Sequence, residues 1–420
     1  MNSRERIKCA LQHKQPDKIP VDFGSTHTTG IHVANVYRLR QYYNLDKPGT
    51  PVKVVEPYQM LGEIADDLKD IIGVDVVILE GKGTFFGYKK EDWKEWKLDD
   101  GTPVLVSGLF NTQKNKDGNL YQYAEGDKNY PPSAKMPSTG FFFDAIIRQK
   151  KIVENNLNPK DNLEEWGLVS KQDLDYLKQR SDDLYNNTKY SVMGAICYSS
   201  LGDIAFVPGP MLKDPKGIRD IEEWYISLNT RKDYIKKVFA EQTEIAIENY
   251  KRIYETIGNT IDIVFISGTD FGTQQDLFIS LNTYRDLFKP FYKKVNRWIH
   301  DNTKWKTFIH SCGSVAKLIP DLIDDEFDIL NPVQISAGNM EPEKLKNEFG
   351  KDIVFWGGGV DTQKTLSFKT PFQVKEEVKK LIDIFSNGGG FVFNTVHNVQ
   401  ANVPIENLIA MLEVIQDYRK

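Results

Sequence analysis

The 420-residue sequence predicts an α/β fold, a (β/α)8 TIM barrel built as one domain over residues 1–420. Three observations support this fold class. Eight short runs of β-branched and aromatic residues recur along the chain, longer amphipathic segments separate them, and polar residues follow many of the runs. A doubly wound open sheet is the alternative, and the number of predicted strands favours the barrel.

The predicted strands carry few charges and are bounded by Gly, Pro, Asn and Asp, as parallel strands buried on both faces require. They are residues 18–24, 73–79, 191–198, 261–270, 306–312, 328–334, 352–361 and 390–397. Helical periodicity fills the intervals between them, for example over 233–258, which ends on a glycine. A helix is also predicted over 282–302, with a kink at Pro290.

Residues from about 81 to 190 do not fit the alternation of strands and helices. The segment is aromatic-rich at its start, and it is too long for a single βα connection. We therefore predict a long insertion between strands two and three that forms a cap over the barrel mouth. Phe85, Phe86 and Tyr88 are candidates to wall an apolar pocket there.

Composition and charge exclude several functional classes. The net charge is −5, so the chain lacks the basic field of a nucleic-acid-binding protein. No apolar run reaches the roughly 18 residues of a membrane span, and the charged N-terminus does not resemble a secretory signal. Three cysteines cannot form a disulfide framework. We expect a cytoplasmic protein without nucleic-acid or membrane partners.

Polar side chains gather where the later predicted strands end, which is where barrel enzymes place their chemistry. These residues are Asp270, His310, Cys312, Asn331, Gln334, Asp361, Asn394 and His397. His27 follows the first predicted strand and is a further candidate for the mouth.

His310 and Cys312 are two residues apart on a predicted strand and therefore share a face. An imidazole and a thiolate together form half of a zinc site, and His397 is the natural third ligand. Three protein ligands leave a fourth position open, which is the catalytic arrangement. The alternative is a core cysteine beside a hydrogen-bonded histidine.

Other strand-end residues also have structural alternatives. Asp270 and Asp361 could cap helices, because Asp is favoured where a strand leads into a helix. Asn331 and Gln334 could serve only to fix a loop.

Several sequence blocks resemble those of the uroporphyrinogen decarboxylase superfamily over nearly the whole chain. They are "RERIKCALQHKQPDKIPVDFG", "SGTDFGTQ", "IHSCGSVAKLIPDLID", "DILNPVQ", "GGGVDTQKTL" and "PIENLIAMLEVI". The methyltransferase branch is the better match, because the decarboxylases carry an Arg-rich block near strand one where this chain reads "VDFGSTHTTGIHV". The decarboxylases also place a catalytic Asp after strand two, where this chain has Glu80.

The resemblance implies a zinc site. The methylcobalamin:coenzyme M methyltransferases bind zinc through an H-x-C pair and a later Cys. His310 and Cys312 match the pair, and His397 stands where the later Cys would be, which implies a His₂Cys site. The decarboxylase branch also has a His near this point, so the alternative is that His397 contacts substrate without a metal.

The function implied by the resemblance is zinc-dependent methyl transfer. A methyl group would move between a small methoxy or thiol-type substrate, as in anaerobic O-demethylation, and a corrinoid (methylcobalamin). The corrinoid would come on a separate corrinoid-binding protein, because no D-x-H-x-x-G block is present. A homodimer is expected from the superfamily.

The resemblance also implies residue roles. Asp270 and Gln334 would orient the substrate, and Glu80 would be a proton donor or a fourth ligand. The remaining predicted substrate contacts are Asn331, Asp361, Asn394 and His27. Two alternatives stay open: a metal-free decarboxylase or other lyase of a small carboxylate or porphyrinogen-like substrate using His397 and Asp270, and a non-catalytic binding protein.

Overall fold

The computed structural model describes residues 1–420. Its strands are β1 Val52–Glu56, β2 Leu61–Gly62, β3 Val76–Glu80, β4 Lys94–Lys97, β5 Pro103–Val106, β6 Gln113–Lys114, β7 Leu120–Gln122, β8 Ala134–Met136, β9 Asp144–Ala145, β10 Ser191–Ala195, β11 Ile263–Ser267, β12 Lys306–His310, β13 Ile329–Asn331, β14 Val354–Trp356 and β15 Phe391–Val392. Its helices are α1 Ser3–Leu11, α2 Val33–Tyr42, α3 Asp66–Ile72, α4 Lys171–Asn187, α5 Ile221–Thr230, α6 Lys232–Ile257, α7 Leu281–Leu287, α8 Lys289–Asn302, α9 Ile319–Asp324, α10 Pro342–Phe349, α11 Thr365–Phe368, α12 Pro371–Ser386 and α13 Ile405–Asp417.

The main sheet has seven parallel strands in the order β15-β14-β13-β12-β11-β10-β3. They correspond to seven of the eight predicted strands, and the predicted α/β class is confirmed. The strands are short runs of buried β-branched and aromatic residues, as in β11, where every residue is buried. Successive strands are connected by segments that contain helices.

The first predicted strand, residues 18–24, is not a regular strand. It forms one parallel bridge, between Val21 and Phe393. Pro20 has no N–H to donate, and the Asp22 side chain instead accepts the backbone N–H of Ser25, so the ladder stops after one bridge. The segment nevertheless touches both edges of the sheet, through Asp22 N–H to Phe393 O and Asp75 N–H to Val21 O. The curled sheet is closed there by an irregular segment.

The space inside the curled sheet is filled by alternate residues of its strands. Phe265 stacks on Phe308 with ring centroids 5.4 Å apart, and Phe308 meets the Trp356 ring edge-on at 5.6 Å. Ile7 and Leu11 of α1 belong to the same buried cluster and fill the interior at the end opposite the mouth. Each such side chain contributes about 1.5–3 kcal/mol through burial. The interior is thus packed below and leaves the C-terminal strand ends as the mouth.

A buried carboxylate joins the two edges of the sheet below the mouth. Asp75 is fully buried and accepts hydrogen bonds from Arg6 at 2.6 Å, from Arg419 at 2.6 Å and from the Val21 N–H at 3.0 Å. It therefore links α1, the C-terminal residues and the irregular segment to the start of β3.

The long segment between β3 and β10 contributes strands to two small sheets. β4 and β5 join β1 and β2 in one four-stranded sheet, in the order β2-β1-β5-β4, and β6 to β9 form another. β1 and β2 were not predicted from the sequence, because they are only five and two residues long. Helix α4 ends the segment and packs on β3 and α6. The insertion limits of about 81 to 190 remain a prediction.

The kink predicted at Pro290 is instead a break between two helices. α7 ends at Leu287, and α8 begins at Lys289 with Pro290 in its first turn. Proline is favoured at this position, because the first turn of a helix leaves backbone N–H groups unpaired in any case. No helix of the chain is both long and apolar enough to cross a membrane.

Replacing Asp75 tests the closure. Asp75→Asn removes the only carboxylate paired with Arg419 and leaves Arg6 paired with Asp17 alone, so we expect the free energy of unfolding to fall by about 3–5 kcal/mol. Urea unfolding followed by circular dichroism measures the change. Asp66→Asn is the matched control, since the Asp66 side chain is 83% exposed and should have little effect. Equal stability of the two variants would contradict the closing role.

Candidate metal centre

Three side chains converge at the mouth of the curled sheet. His310 is the last residue of β12, Cys312 follows it in the next loop, and His397 lies in the loop after β15. One nitrogen or sulfur atom of each lies within 4.8 Å of the others. His310 Nε2 is 3.4 Å from Cys312 Sγ, and the two imidazole centroids are 5.4 Å apart. The structure thus brings together the three side chains that were predicted as metal ligands.

The orientation of His310 is fixed by a hydrogen-bonded partner behind it. Asn331 donates from Nδ2 to the Trp356 carbonyl at 2.8 Å, so its Oδ1 faces His310 Nδ1 at 2.7 Å. Nδ1 must therefore carry the hydrogen, which leaves the lone pair of Nε2 directed toward Cys312. This arrangement is the one that supports a metal-binding histidine. No hydrogen bond occupies the ring nitrogens of His397.

Burial sets the charge of the cluster. It lowers the pKa of His310 to about 4, and burial together with the charge of His310 lowers the pKa of His397 to about 4. Burial and the neighbouring Asp270 carboxylate raise the pKa of the Cys312 thiol. Two neutral imidazoles and a thiol that releases its proton on binding form a suitable donor set for Zn²⁺, with one coordination position open.

Asp270 and Gln334 hold the loop that carries Cys312. Asp270 Oδ1 accepts the Cys312 N–H at 2.7 Å and lies 3.9 Å from His310 Nε2. Gln334 Oε1 accepts the Gly313 N–H at 2.8 Å. Gly313 has φ +90°, and an added Cβ would lie 2.3 Å from the backbone of the loop after β11, so only glycine fits. The Nε2 of Gln334 is buried without a hydrogen-bond partner.

Glu80 and His27 lie apart from this cluster, at the end of β3, three strands away from β12. His27 Nε2 and Glu80 Oε2 are 2.7 Å apart, and Lys90 forms an ion pair with the other oxygen of Glu80. Burial acts to raise the pKa of Glu80, but the hydrogen bond from His27 and the charge of Lys90 lower it to about 2. An ionised carboxylate with both oxygens engaged is poorly placed to be a proton donor or a fourth ligand. Both residues line a cavity of about 250 Å³.

Two of the predicted substrate contacts, Asp361 and Asn394, form hydrogen bonds with the backbone. Asp361 Oδ1 accepts the Gln363 N–H at 2.8 Å within a turn. Asn394 donates from Nδ2 to the Asp22 carbonyl at 2.7 Å and so holds the irregular first segment. The Oδ1 of Asn394 is buried without a partner. Contact of Asp361, Asn394, Asn331 and His27 with a substrate remains a prediction.

Asp203 is a site residue that the sequence analysis missed. It lies in the loop after β10, is only 5% exposed and forms no ion pair. Burial, followed by the charge of Asp270, raises the pKa of Asp203 to about 8. We therefore expect Asp203 to hold its proton at neutral pH, where its charge would interact unfavourably with that of Asp270. Its only sequence signal was an acidic residue soon after a predicted strand.

An aromatic surface adjoins the barrel interior beside these groups. Phe85 packs on Tyr58 and Phe206, with centroid distances of 4.6 and 4.8 Å, and Tyr198 packs on Phe265 of the interior at 5.7 Å. The rings of Tyr58, Phe85, Tyr198 and Phe206 are half-buried. Of the three aromatic residues named from the sequence, only Phe85 belongs to this surface. Phe86 and Tyr88 are 0% and 2% exposed and form part of the core.

Comparison with known proteins gives three findings. Residues 211–418 match the family model described as uroporphyrinogen decarboxylase (URO-D). A uroporphyrinogen decarboxylase from Actinobacillus succinogenes is 32% identical over 77 residues, which span 18% of this chain and only 21% of that protein. A methyltransferase from Methanosarcina mazei superposes with a TM-score of 0.56 and 16% identity over 100% of both chains. At that identity the superposition establishes a shared fold.

Replacing Asn331 tests the orientation of His310. In Asn331→Ala the imidazole loses the partner that fixes its tautomer, so Zn²⁺ should bind about 10–100-fold more weakly. Competition against a chelating dye measures the affinity. Asn296→Ala is the matched control, because Asn296 is also fully buried and donates to a backbone carbonyl, that of Asp325. Equal zinc affinity in both variants would contradict the supporting role of Asn331.

Asp203 predicts a pH dependence of stability. Its folded pKa of about 8 lies above its ordinary value of 3.8, so the folded chain holds this proton more tightly than the unfolded chain. The stabilisation is complete below about pH 4 and is lost as the pH rises through 8. Urea unfolding at pH 5, 6.5 and 8 should show wild type losing stability relative to Asp203→Asn. Parallel pH profiles of the two proteins would contradict a protonated Asp203.

Proposed function

This chain belongs to the uroporphyrinogen decarboxylase (URO-D) family, and we propose that it is a zinc-dependent methyltransferase. It moves a methyl group between a small methoxy or thiol-type substrate and a corrinoid carried on a separate protein. The observation that carries the proposal is the grouping of His310, Cys312 and His397 at the mouth, since three protein ligands would leave a fourth position on a zinc ion for substrate. The methyltransferase that shares the fold supports the same conclusion.

Zinc would be held by His310 Nε2, Cys312 Sγ and a ring nitrogen of His397. When bound there, it supplies Lewis acidity to a methoxy oxygen or to a thiol sulfur. The sulfur of Cys312 must give up its proton to bind the metal, and the neutral imidazoles need no such loss. The two histidines thus need not lose a proton when the metal binds.

Substrate would be oriented by the groups around the cluster. Gln334 Nε2 is a buried donor without a partner, so it can donate to an oxygen of the substrate. The half-buried rings of Phe85, Tyr198 and Phe206 can cover an apolar part of the substrate and exclude water from it.

A proton must reach an oxygen that loses its methyl group. Asp203 holds a proton near neutral pH and lies beside Asp270, so we assign it this role in place of Glu80. Asp270 keeps Cys312 in position through the Cys312 N–H. The transfer would need no side-chain nucleophile, because the corrinoid, when bound, would supply the group that accepts or donates the methyl group.

A metal-free lyase is the second candidate, and the description of the family model favours it. Decarboxylation of a polycarboxylic substrate calls for cationic groups that bind its carboxylates. The segment at 21–33, which follows the bridge at the closure, contains no arginine or lysine. The first candidate therefore has the stronger support.

Metal content is the first test. Protein purified without chelator should contain about one zinc per chain, and Cys312→Ala and His397→Ala should each lose it. Cys9→Ala is the matched control, because Cys9 donates only to the Lys14 carbonyl and should leave the zinc in place. Elemental analysis measures the content, and the absorbance of cob(I)alamin follows methyl transfer from trial methyl ethers and thioethers.

The outcomes separate the candidates. Zinc retained in His397→Ala would remove that ligand assignment alone. A folded wild type that binds no zinc even after addition of the metal would overturn the methyltransferase and leave the lyase. Carbon dioxide release from a carboxylate substrate by the metal-free protein would establish the lyase directly.

A further inference from the structure

Two phenylalanines stand out on the surface near the mouth. Phe368 ends α11 and is 73% exposed, and Phe372 in the first turn of α12 is 70% exposed. No other large hydrophobic residue of the chain is as exposed. Together they present roughly 250 Å² of aromatic surface. We name these two residues with Lys364 and Lys369 the Phe368–Phe372 patch.

The patch is held rigidly. Asn407 donates from Nδ2 to the carbonyls of Leu366 and Lys369, both at 2.9 Å. Thr370 caps α12 in a reciprocal pair with Gln373. The backbone on both sides of the two phenylalanines is therefore fixed before any partner arrives, which lowers the entropy cost of binding.

The patch lies on the rim of the metal-binding mouth. Helix α11 follows the C-terminal end of β14, the end of the sheet at which His310 stands. In the connecting loop, the Gly359 N–H donates to the Asn394 carbonyl at 2.8 Å, and the Val360 carbonyl accepts the Val396 N–H. The loop that leads to the patch thus runs beside the loop that carries His397.

The charge of the patch differs from that of the whole chain. Lys364 and Lys369 are exposed and form no ion pair, whereas the net charge of the protein is −5. A second copy of the chain docked about a twofold axis would bring these lysines together, which is unfavourable. The patch is complementary to a surface with acidic residues around an apolar recess.

We propose that the Phe368–Phe372 patch docks an acidic protein that brings the methyl-group carrier to the mouth. The inference rests on the proposed function, since a methyltransferase of this kind receives its corrinoid on another protein. Two exposed aromatic side chains on a fixed backbone, beside two unpaired lysines, are typical of a small, transient interface, in which a few residues supply most of the binding energy. The lysines would speed association with the acidic partner.

The test compares two forms of the carrier, free cob(I)alamin and the corrinoid-protein fraction purified from the source cells by its visible absorbance. The double variant Phe368→Ser/Phe372→Ser should transfer methyl groups to free cob(I)alamin at the wild-type rate. Its kcat/KM with the protein-bound corrinoid should fall at least about tenfold.

Lys364→Glu/Lys369→Glu should show a similar loss and a weaker dependence on salt. Phe278→Ser is the matched control, because Phe278 is an exposed aromatic residue in the segment between β11 and α7.

Equal rates of wild type and double variant with the protein-bound corrinoid would overturn the proposal. So would sedimentation showing that the double variant converts a dimer to a monomer, because the patch would then join two copies of the chain. Equilibrium binding of the corrinoid-protein fraction is measured in parallel. If wild type shows no transfer to free cob(I)alamin, the proposed function fails, and the binding measurement still decides whether the patch docks the carrier.

Discussion

The fold depends on one buried carboxylate, that of Asp75. A curled parallel sheet needs its two edges joined, and here the joining segment is too irregular to do so through a ladder of backbone hydrogen bonds. Asp75 replaces that ladder, since it binds the Val21 N–H and two guanidinium groups at once. The cost of burying the charge is offset because Arg6 and Arg419 both approach to 2.6 Å. The arrangement ties both chain termini to the closure.

The same closure reaches the metal centre through a chain of hydrogen bonds. Asp22, next to Val21, accepts the Trp356 Nε1–H at 2.8 Å, and the Trp356 carbonyl accepts from Asn331, which fixes His310. Each member is buried, so each must keep its partner. The tautomer of one metal ligand is thus determined by residues on three neighbouring strands and on the irregular segment.

The parts that the sequence predicted well depend on local rules. Apolar runs located seven strands, and His310 and Cys312 lie close together as predicted, although Cys312 follows the end of its strand. His397 followed from barrel topology, because the ends of all strands meet at one mouth. The ion pair that occupies Glu80 could not be predicted, because Lys90 comes from the long inserted segment, whose folding no period describes. Asp203 was missed for a similar reason, since its burial depends on the packing of an irregular loop.

The origins of the three ligands have a mechanical consequence. His310 ends a central strand and Cys312 follows it in the next loop, whereas His397 follows the edge strand that borders the closure. An ion bound to all three would therefore link the middle of the sheet to the closure, where the irregular segment joins the two edges. The closure would separate more readily in the metal-free protein. The ion would then be the reactive centre and would also stabilise the fold around it.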